Sequence, residues 1–247
     1  MRVHSVDAGT PASGSAGQPS HVRSFVDLVL PASCAGCQWP SVIACPACLG
    51  ALAAVPWLAW PRPSPPGLPP PYAAAPYDGP VRPLLLAFKE DGCVGLRRPL
   101  ARAMARALIA ALGPHERVRI VPVPSSAASR RQRGDDIVRG LARTAAGDLR
   151  RLGLDAVVIP ALRHNRRVSD SAGLTAAQRA GNLADAFSVL PRRAAVLGDA
   201  PVVLVDDLVT TGATLAECAA ALRRVGVEVH ACATVAATRR RRVGGLG

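Results

Sequence analysis

The chain predicts an α/β fold: a mostly parallel sheet flanked by helices, preceded by a small cysteine-bearing module. Three observations point there. Apolar runs of strand length alternate with amphipathic stretches of helix length through much of the chain, the pattern of repeated strand–helix crossovers. The run Val202-Val203-Leu204-Val205 is aliphatic at every position, which suits a strand covered on both faces. Ahead of these elements lies a segment with two C-x2-C pairs, Cys34/Cys37 and Cys45/Cys48, followed by a proline-rich stretch.

Taken in order, residues 1–24 are rich in Gly, Ser, Ala and Pro, lack an apolar core, and read as a disordered tail rather than a signal peptide. Residues 25–55 form the cysteine module, entered by Phe25, Val26, Leu28, Val29 and Leu30 and left through Ala51-Leu52. Each knuckle can present two thiolates to one ion, and four thiolates make a closed tetrahedral, structural Zn²⁺ site with no position left to activate water. Gly36 eases the first knuckle, and Gln38 to Ala44 suffice for a short hairpin. The rival readings are disulfides or a thioredoxin-like redox pair; the latter needs one knuckle in a βαβ context. Pro56 to Pro71 read as an extended, semi-rigid linker.

The main domain, 72–236, begins near Tyr72. Leu96, Leu100, Met104, Leu108 and Leu112 share one helical face, ended by Gly113-Pro114. Val118 to Val123 is the first core strand. Ile137, Leu141, Leu149 and Leu152 mark the next helix, stopped by Gly153. Val157 to Ile159 is a strand, an arginine-rich loop runs to about Ala184, and Ala186 to Val189 is a short strand. Val202 to Val205 and Val227 to Val235 complete the set, and residues 237–247 form a basic tail.

Chemistry concentrates after the aliphatic run. Asp206 and Asp207 end it, Thr210-Thr211-Gly212-Ala213-Thr214 form a loop, and Leu215, Cys218, Ala219, Leu222 and Val225 make a helical face capped by Gly226. Free amide groups and the positive end of the helix dipole can receive a phosphate. The threonine hydroxyls add donors, and Gly212 permits close approach of the backbone. The two carboxylates suit ribose hydroxyls, directly or through Mg²⁺ and its waters. An ordinary strand-to-helix turn with Thr as N-cap explains the threonines but leaves the adjacent carboxylates without a role.

Composition narrows the setting. No apolar run spans a membrane, and the free thiols Cys93, Cys218 and Cys232 fit a reducing, cytoplasmic location. Cys218 and Cys232 read as packing residues. The formal charge is +13, and Lys89 is the only lysine. Arginines cluster at Arg130, Arg131 and Arg133, at Arg163, Arg166 and Arg167, and at Arg239 to Arg242. Such a surface attracts pyrophosphate, nucleic acid or anionic membranes, and charge alone does not choose. Trp39, Trp57, Trp60, Tyr72 and Tyr77 all lie between the first knuckle and the start of the main domain. They suit stacking on a single nucleic-acid strand, or, the preferred reading, the core of a very small module.

The segment from Val202 to Leu215 closely resembles the 5-phosphoribosyl 1-pyrophosphate (PRPP) motif of type I phosphoribosyltransferases. Combined with the four-cysteine module, it resembles the ComF family of competence-associated, phosphoribosyltransferase-like proteins. Tyr77-Asp78-Gly79-Pro80-Val81-Arg82 running into Leu86-Ala87-Phe88-Lys89 is similar to that family's helix ending in a lysine. Val121-Pro122-Val123-Pro124 with Arg130, Arg131, Arg133 and Gly134 resembles its pyrophosphate-loop region, and Ala172-Gly173-Leu174-Thr175 with Gln178-Arg179 and Asn182-Leu183 its loop before the next strand. The resemblance implies a type I phosphoribosyltransferase-like fold with a zinc-ribbon-like module. It implies catalytic and ribose-binding Asp206 and Asp207, and a 5-phosphate loop of Thr210, Thr211, Gly212, Ala213 and Thr214. It further implies pyrophosphate displacement from C1 of Mg²⁺-PRPP through an oxocarbenium-like state.

For pyrophosphate, Ser125 and Ser126 are candidate donors, and Arg163, Arg166 and Arg167 could close over it. Asp135, Asp136 and Ile137, where an aromatic, Asn and Gln are usual, and Ser171, where Gln is common, depart from the family pattern. Three functions follow: a phosphoribosyltransferase with an unknown acceptor; a PRPP-binding factor handling single-stranded DNA, with a DNA-uptake helicase or channel component as partner; or a scaffold that only docks partners.

Overall fold

The computed structural model describes residues 33–40, 42–125, 136–165 and 186–239. Among them a six-stranded sheet runs in the order β1-β2-β8-β7-β3-β4: β1 (Trp57–Leu58), β2 (Pro71–Pro76), β3 (Arg117–Pro122), β4 (Asp155–Val158), β7 (Val202–Val209) and β8 (Val229–Ala237). Only the β1–β2 pairing is antiparallel. A separate antiparallel pair joins β5 (Leu162–His164) to β6 (Phe187–Val189). The helices are α1 (Pro46–Ala51), α2 (Val81–Lys89), α3 (Arg97–Leu112), α4 (Ile137–Arg151), α5 (Pro191–Ala194) and α6 (Ala213–Arg223). The expected α/β fold with a mostly parallel sheet is what forms.

The sheet separates two apolar layers, and strand alternation assigns residues to them. Val203 and Val205 of β7, with Ala231, Ala233 and Val235 of β8, face α2, α3 and α4. Val202 and Leu204, with Cys232, face α6 and the β5–β6 pair. That is why the aliphatic run has no polar position. Cys218 and Cys232 are fully buried, as expected of packing residues.

The cysteine segment is not set apart from this core. Cys34, Cys45, Cys48 and Leu52 pack in the same layer as α2 and α3. Arg106 of α3 donates to the carbonyls of Leu52 and Ala54. No helix among the described residues is long and apolar enough to cross a membrane.

Several expectations need correction. Trp57–Leu58, expected within a linker, adds an edge strand to the sheet. Leu162–His164, expected within a loop, is a strand, because β6 supplies backbone partners. β4 begins at Asp155 rather than Val157, and Leu152, expected on the apolar face of α4, is exposed. The tryptophans do not build a module core: Trp39 is 66% and Trp60 45% exposed, while half-buried Trp57 packs in the α6 layer with the Arg239 guanidinium 4.6 Å from its ring centroid. Helix α1 and the cysteines, docked on α2 and α3, bury the module without them.

Candidate functional site

The carboxyl edges of β3 and β7 frame a cleft of about 380 Å³, within the range of ligand sites. Residues from the ends of β3 and β7 line it with Lys89, Ile137, Val138 and His164. Its position follows from unequal pairing. β3 stops pairing with β7 at Pro122↔Val205, while β8 continues through Asp206↔Thr234 to Val209↔Ala237. The two aspartates thus stand inside the β7–β8 ladder but beyond the end of β3. Strand β7 does not end at Val205 as expected; the acids end only its contact with β3.

The aspartates are not equivalent. Asp207 is 3% exposed and its Oδ2 lies 2.6 Å from Nζ of Lys89, the last residue of α2. Burial disfavours the Lys89 charge, but the Asp207 carboxylate outweighs it and raises the ammonium above its usual range. Asp206 is half-buried and its Oδ1 accepts from the Asp207 backbone N–H at 2.9 Å. Burial, then the Asp207 charge, holds the Asp206 carboxyl well above the usual carboxylate range.

The following loop brings Thr210, Thr211 and Thr214 to the surface. Thr210 and Thr214 line the cleft; Thr211, Gly212 and Ala213 complete the turn beside it. No threonine is the N-cap: Gly212 holds that position with φ +74° and no side-chain cap. Thr211 Oγ1 accepts from the Ala213 N–H at 3.4 Å, and the N–H groups beyond it in the first turn of α6, with the dipole end, suit an anion. Gly212 is also a contact point, since a Cβ there would stand 2.8 Å from Leu68 and 3.1 Å from Pro61. The proline-rich segment thus buttresses the loop from behind.

The loop after β3 differs. Ser125 lines the cleft, but its Oγ donates to Asp136 Oδ1 at 3.0 Å and its N–H reaches Oδ2 at 3.4 Å. Asp136, one of the unusual residues noted above, is the N-cap of α4 and accepts from Arg139 N–H at 3.2 Å. His164, which no motif singles out, reaches the Pro124 carbonyl with Nε2 at 2.8 Å and packs on Phe187. Arg163 Nε donates to Ser188 Oγ at 3.0 Å, away from the residues lining the cleft. Ser126, Arg166 and Arg167 lie outside the described residues.

The thiols of Cys34, Cys37, Cys45 and Cys48 all lie within 4.8 Å of one another, and none of the seven cysteines is in a disulfide. Tetrahedral Zn–S bonds of about 2.3 Å place sulfurs about 3.8 Å apart, so this cluster suits one zinc ion. Backbone N–H groups of Cys45 and Gly36 point at Cys34 Sγ, at 3.2 and 3.4 Å. Burial opposes the Cys34 thiolate, but backbone hydrogen bonds prevail and bring its pKa to about 6. Gly36 is required by space: a Cβ there would stand 2.7 Å from Cys48 Sγ. The cluster can bind zinc.

A family model described as "Phosphoribosyl transferase domain" matches residues 100–244, more than half of the chain. No curated protein matches it.

Proposed function

The chain belongs to the phosphoribosyl transferase family, and on that premise we propose that it binds Mg²⁺-PRPP in this cleft and transfers phosphoribose, with release of pyrophosphate, to an acceptor. One observation carries the reading: an acidic pair and a hydroxyl-bearing helix N-terminus line one cleft at the sheet's carboxyl edge. The Thr210–Thr214 loop receives the 5-phosphate, and Asp206 and Asp207 accept from the ribose hydroxyls, which fixes the ring and C1. Asp206, whose carboxylate is not held by Lys89, is the side chain available to a Mg²⁺ ion or its waters; when bound, Mg²⁺ neutralises charge on the departing pyrophosphate. Apolar Ile137 and Val138 help keep water from the ring. The four-cysteine cluster holds one structural zinc.

Pyrophosphate release from Mg²⁺-PRPP, measured across pools of candidate acceptors, tests the enzyme; no release with any pool counts against turnover. Calorimetry with PRPP tests the site, and an affinity unchanged by Asp206→Ala/Asp207→Ala removes the assignment. Metal analysis of protein purified without chelator should find one zinc per chain.

A second reading, a PRPP-responsive factor that handles single-stranded DNA and serves DNA uptake, has its own support. Arg97, Arg98, Arg143 and Arg151 line a groove of about 470 Å³ between the amino end of α3 and α4, and Asp148, its only acid among the described residues, is ion-paired with Arg151. Trp39 and Trp60 are exposed, as stacking requires. If a strand binds there, Arg98→Ala/Arg143→Ala flattens the salt dependence by about 0.7 per lost phosphate contact. Trp39→Ala lowers affinity without changing that slope. No DNA binding at low salt ends this reading.

A further inference from the structure

The cleft holds a cation that the phosphate loop does not explain. Lys89, the only lysine of the chain, closes α2 and meets Asp207 at 2.6 Å. Holding α2 on the sheet does not call for this pair. Val81, Leu84, Leu85 and Phe88 already bury the helix's apolar face. A desolvated ion pair is also a costly fastening where apolar packing would serve.

Its position gives it another use. Lys89 and Asp207 both line the cleft, and the lysine side chain is 38% exposed where the aspartate is 5%. A buried carboxylate without its ammonium would rotate or take up a proton. Either change ruins it as an acceptor of fixed direction.

Building on the proposed sugar-phosphate site, we infer that Lys89 is its positioning residue: it clamps Oδ2 of Asp207 and thereby aims Oδ1 at a ribose hydroxyl. The ligand class is a ribose phosphate, recognised by its hydroxyls at the lysine-held carboxylate and by its phosphate at the threonine loop.

The test compares ribose 5-phosphate with inorganic phosphate by calorimetry in metal-free buffer. Both are phosphate anions of similar charge near neutral pH, but only one carries sugar hydroxyls. The natural chain should prefer ribose 5-phosphate. Lys89→Met should weaken ribose 5-phosphate on the order of tenfold, the effect of losing a hydrogen bond to a charged group, and leave inorganic phosphate nearly unchanged. Lys89→Arg, which keeps a cation on Asp207, should restore most of the preference.

Equal weakening of both ligands would make Lys89 a general attractor of anions and overturn the inference. So would a preference untouched in Lys89→Met. If the natural chain shows no preference for the ribose phosphate, the sugar-phosphate reading itself falls. Should Lys89→Met fail to fold, Asp207→Asn must show the same selective loss, and a retained preference there overturns the inference equally.

Discussion

Two loops leave the carboxyl edge of the sheet side by side, after β3 and after β7, and each leads toward a helix. After β7 the helix starts at Gly212 with no side-chain cap, and the threonine hydroxyls face solvent. After β3 the helix is capped by Asp136, which also takes the N–H and hydroxyl of Ser125, while His164 takes the Pro124 carbonyl. Among the described residues, the loop after β7 turns one threonine hydroxyl onto the Ala213 N–H, whereas the loop after β3 turns a carboxylate onto both donors of Ser125. A helix N-terminus beside a cleft is a ready anion site only where its own sequence leaves it uncapped.

The largest effect should come from the acids before the open loop. Asp206→Ala/Asp207→Ala is expected to cost about 3 kcal/mol or more of PRPP binding, two hydrogen bonds to charged acceptors, with circular dichroism unchanged. Retained affinity in calorimetry would mean the loop binds alone.

Gly212→Ala should come next. It places a side chain at φ +74° and within 3 Å of Leu68, so about 2 kcal/mol of stability is at stake from strain and overpacking. Urea denaturation reads the loss, and phosphate affinity should fall with it because the loop must move off Pro61 and Leu68. Unchanged stability would mean the proline-rich segment yields freely.

Asp136→Ala sharpens the contrast most directly, by opening the closed loop. Loss of the α4 cap should cost about 1 kcal/mol. Removal of the carboxylate should raise affinity for inorganic pyrophosphate severalfold, since a negative charge beside Ser125 no longer repels the anion. Opposite signs in unfolding and binding experiments support internal closure; a fall in both would mean Asp136 positions the cradle.

The smallest effect should lie at the amino edge of the sheet, remote from both loops. A hydrogen bond from Arg119, with Arg117 nearby, holds Asp155 below the usual carboxylate range. With the folded value depressed, this contribution is present above the usual range and is lost as pH falls through the folded value. Asp155→Asn should therefore lower stability slightly at neutral pH, with the difference vanishing in acid and ligand affinity unchanged throughout. A difference that persists in acid would remove the ionic account.

Much of the fold was legible in the residues because local pattern carried it. Val202 to Val205 are aliphatic on both sides of the strand, and the structure covers both sides. Leu100, Met104 and Leu108 recur at helical spacing and are buried together. Gly226, expected as a helix end, has φ +80°. The four cysteines converge because each C-x2-C knuckle already holds two thiols close. Short elements were not legible: Trp57–Leu58 and Leu162–His164 carry no period and become strands only beside β2 and β6. The tryptophans were misread for a related reason, since burial depends on what packs over a residue.

By itself, then, the sequence determined the layered α/β architecture, the thiol cluster and the acidic pair with its threonine loop, because these are written in neighbouring residues. Only the tertiary structure decided which donors remain open. Lys89 lies more than a hundred positions before Asp207 and His164 forty after Pro124, yet the first two form an ion pair and the second two a hydrogen bond. Whether a carboxylate is held by a cation, or a serine is occupied by an aspartate, depends on contacts between distant segments, which no local pattern encodes.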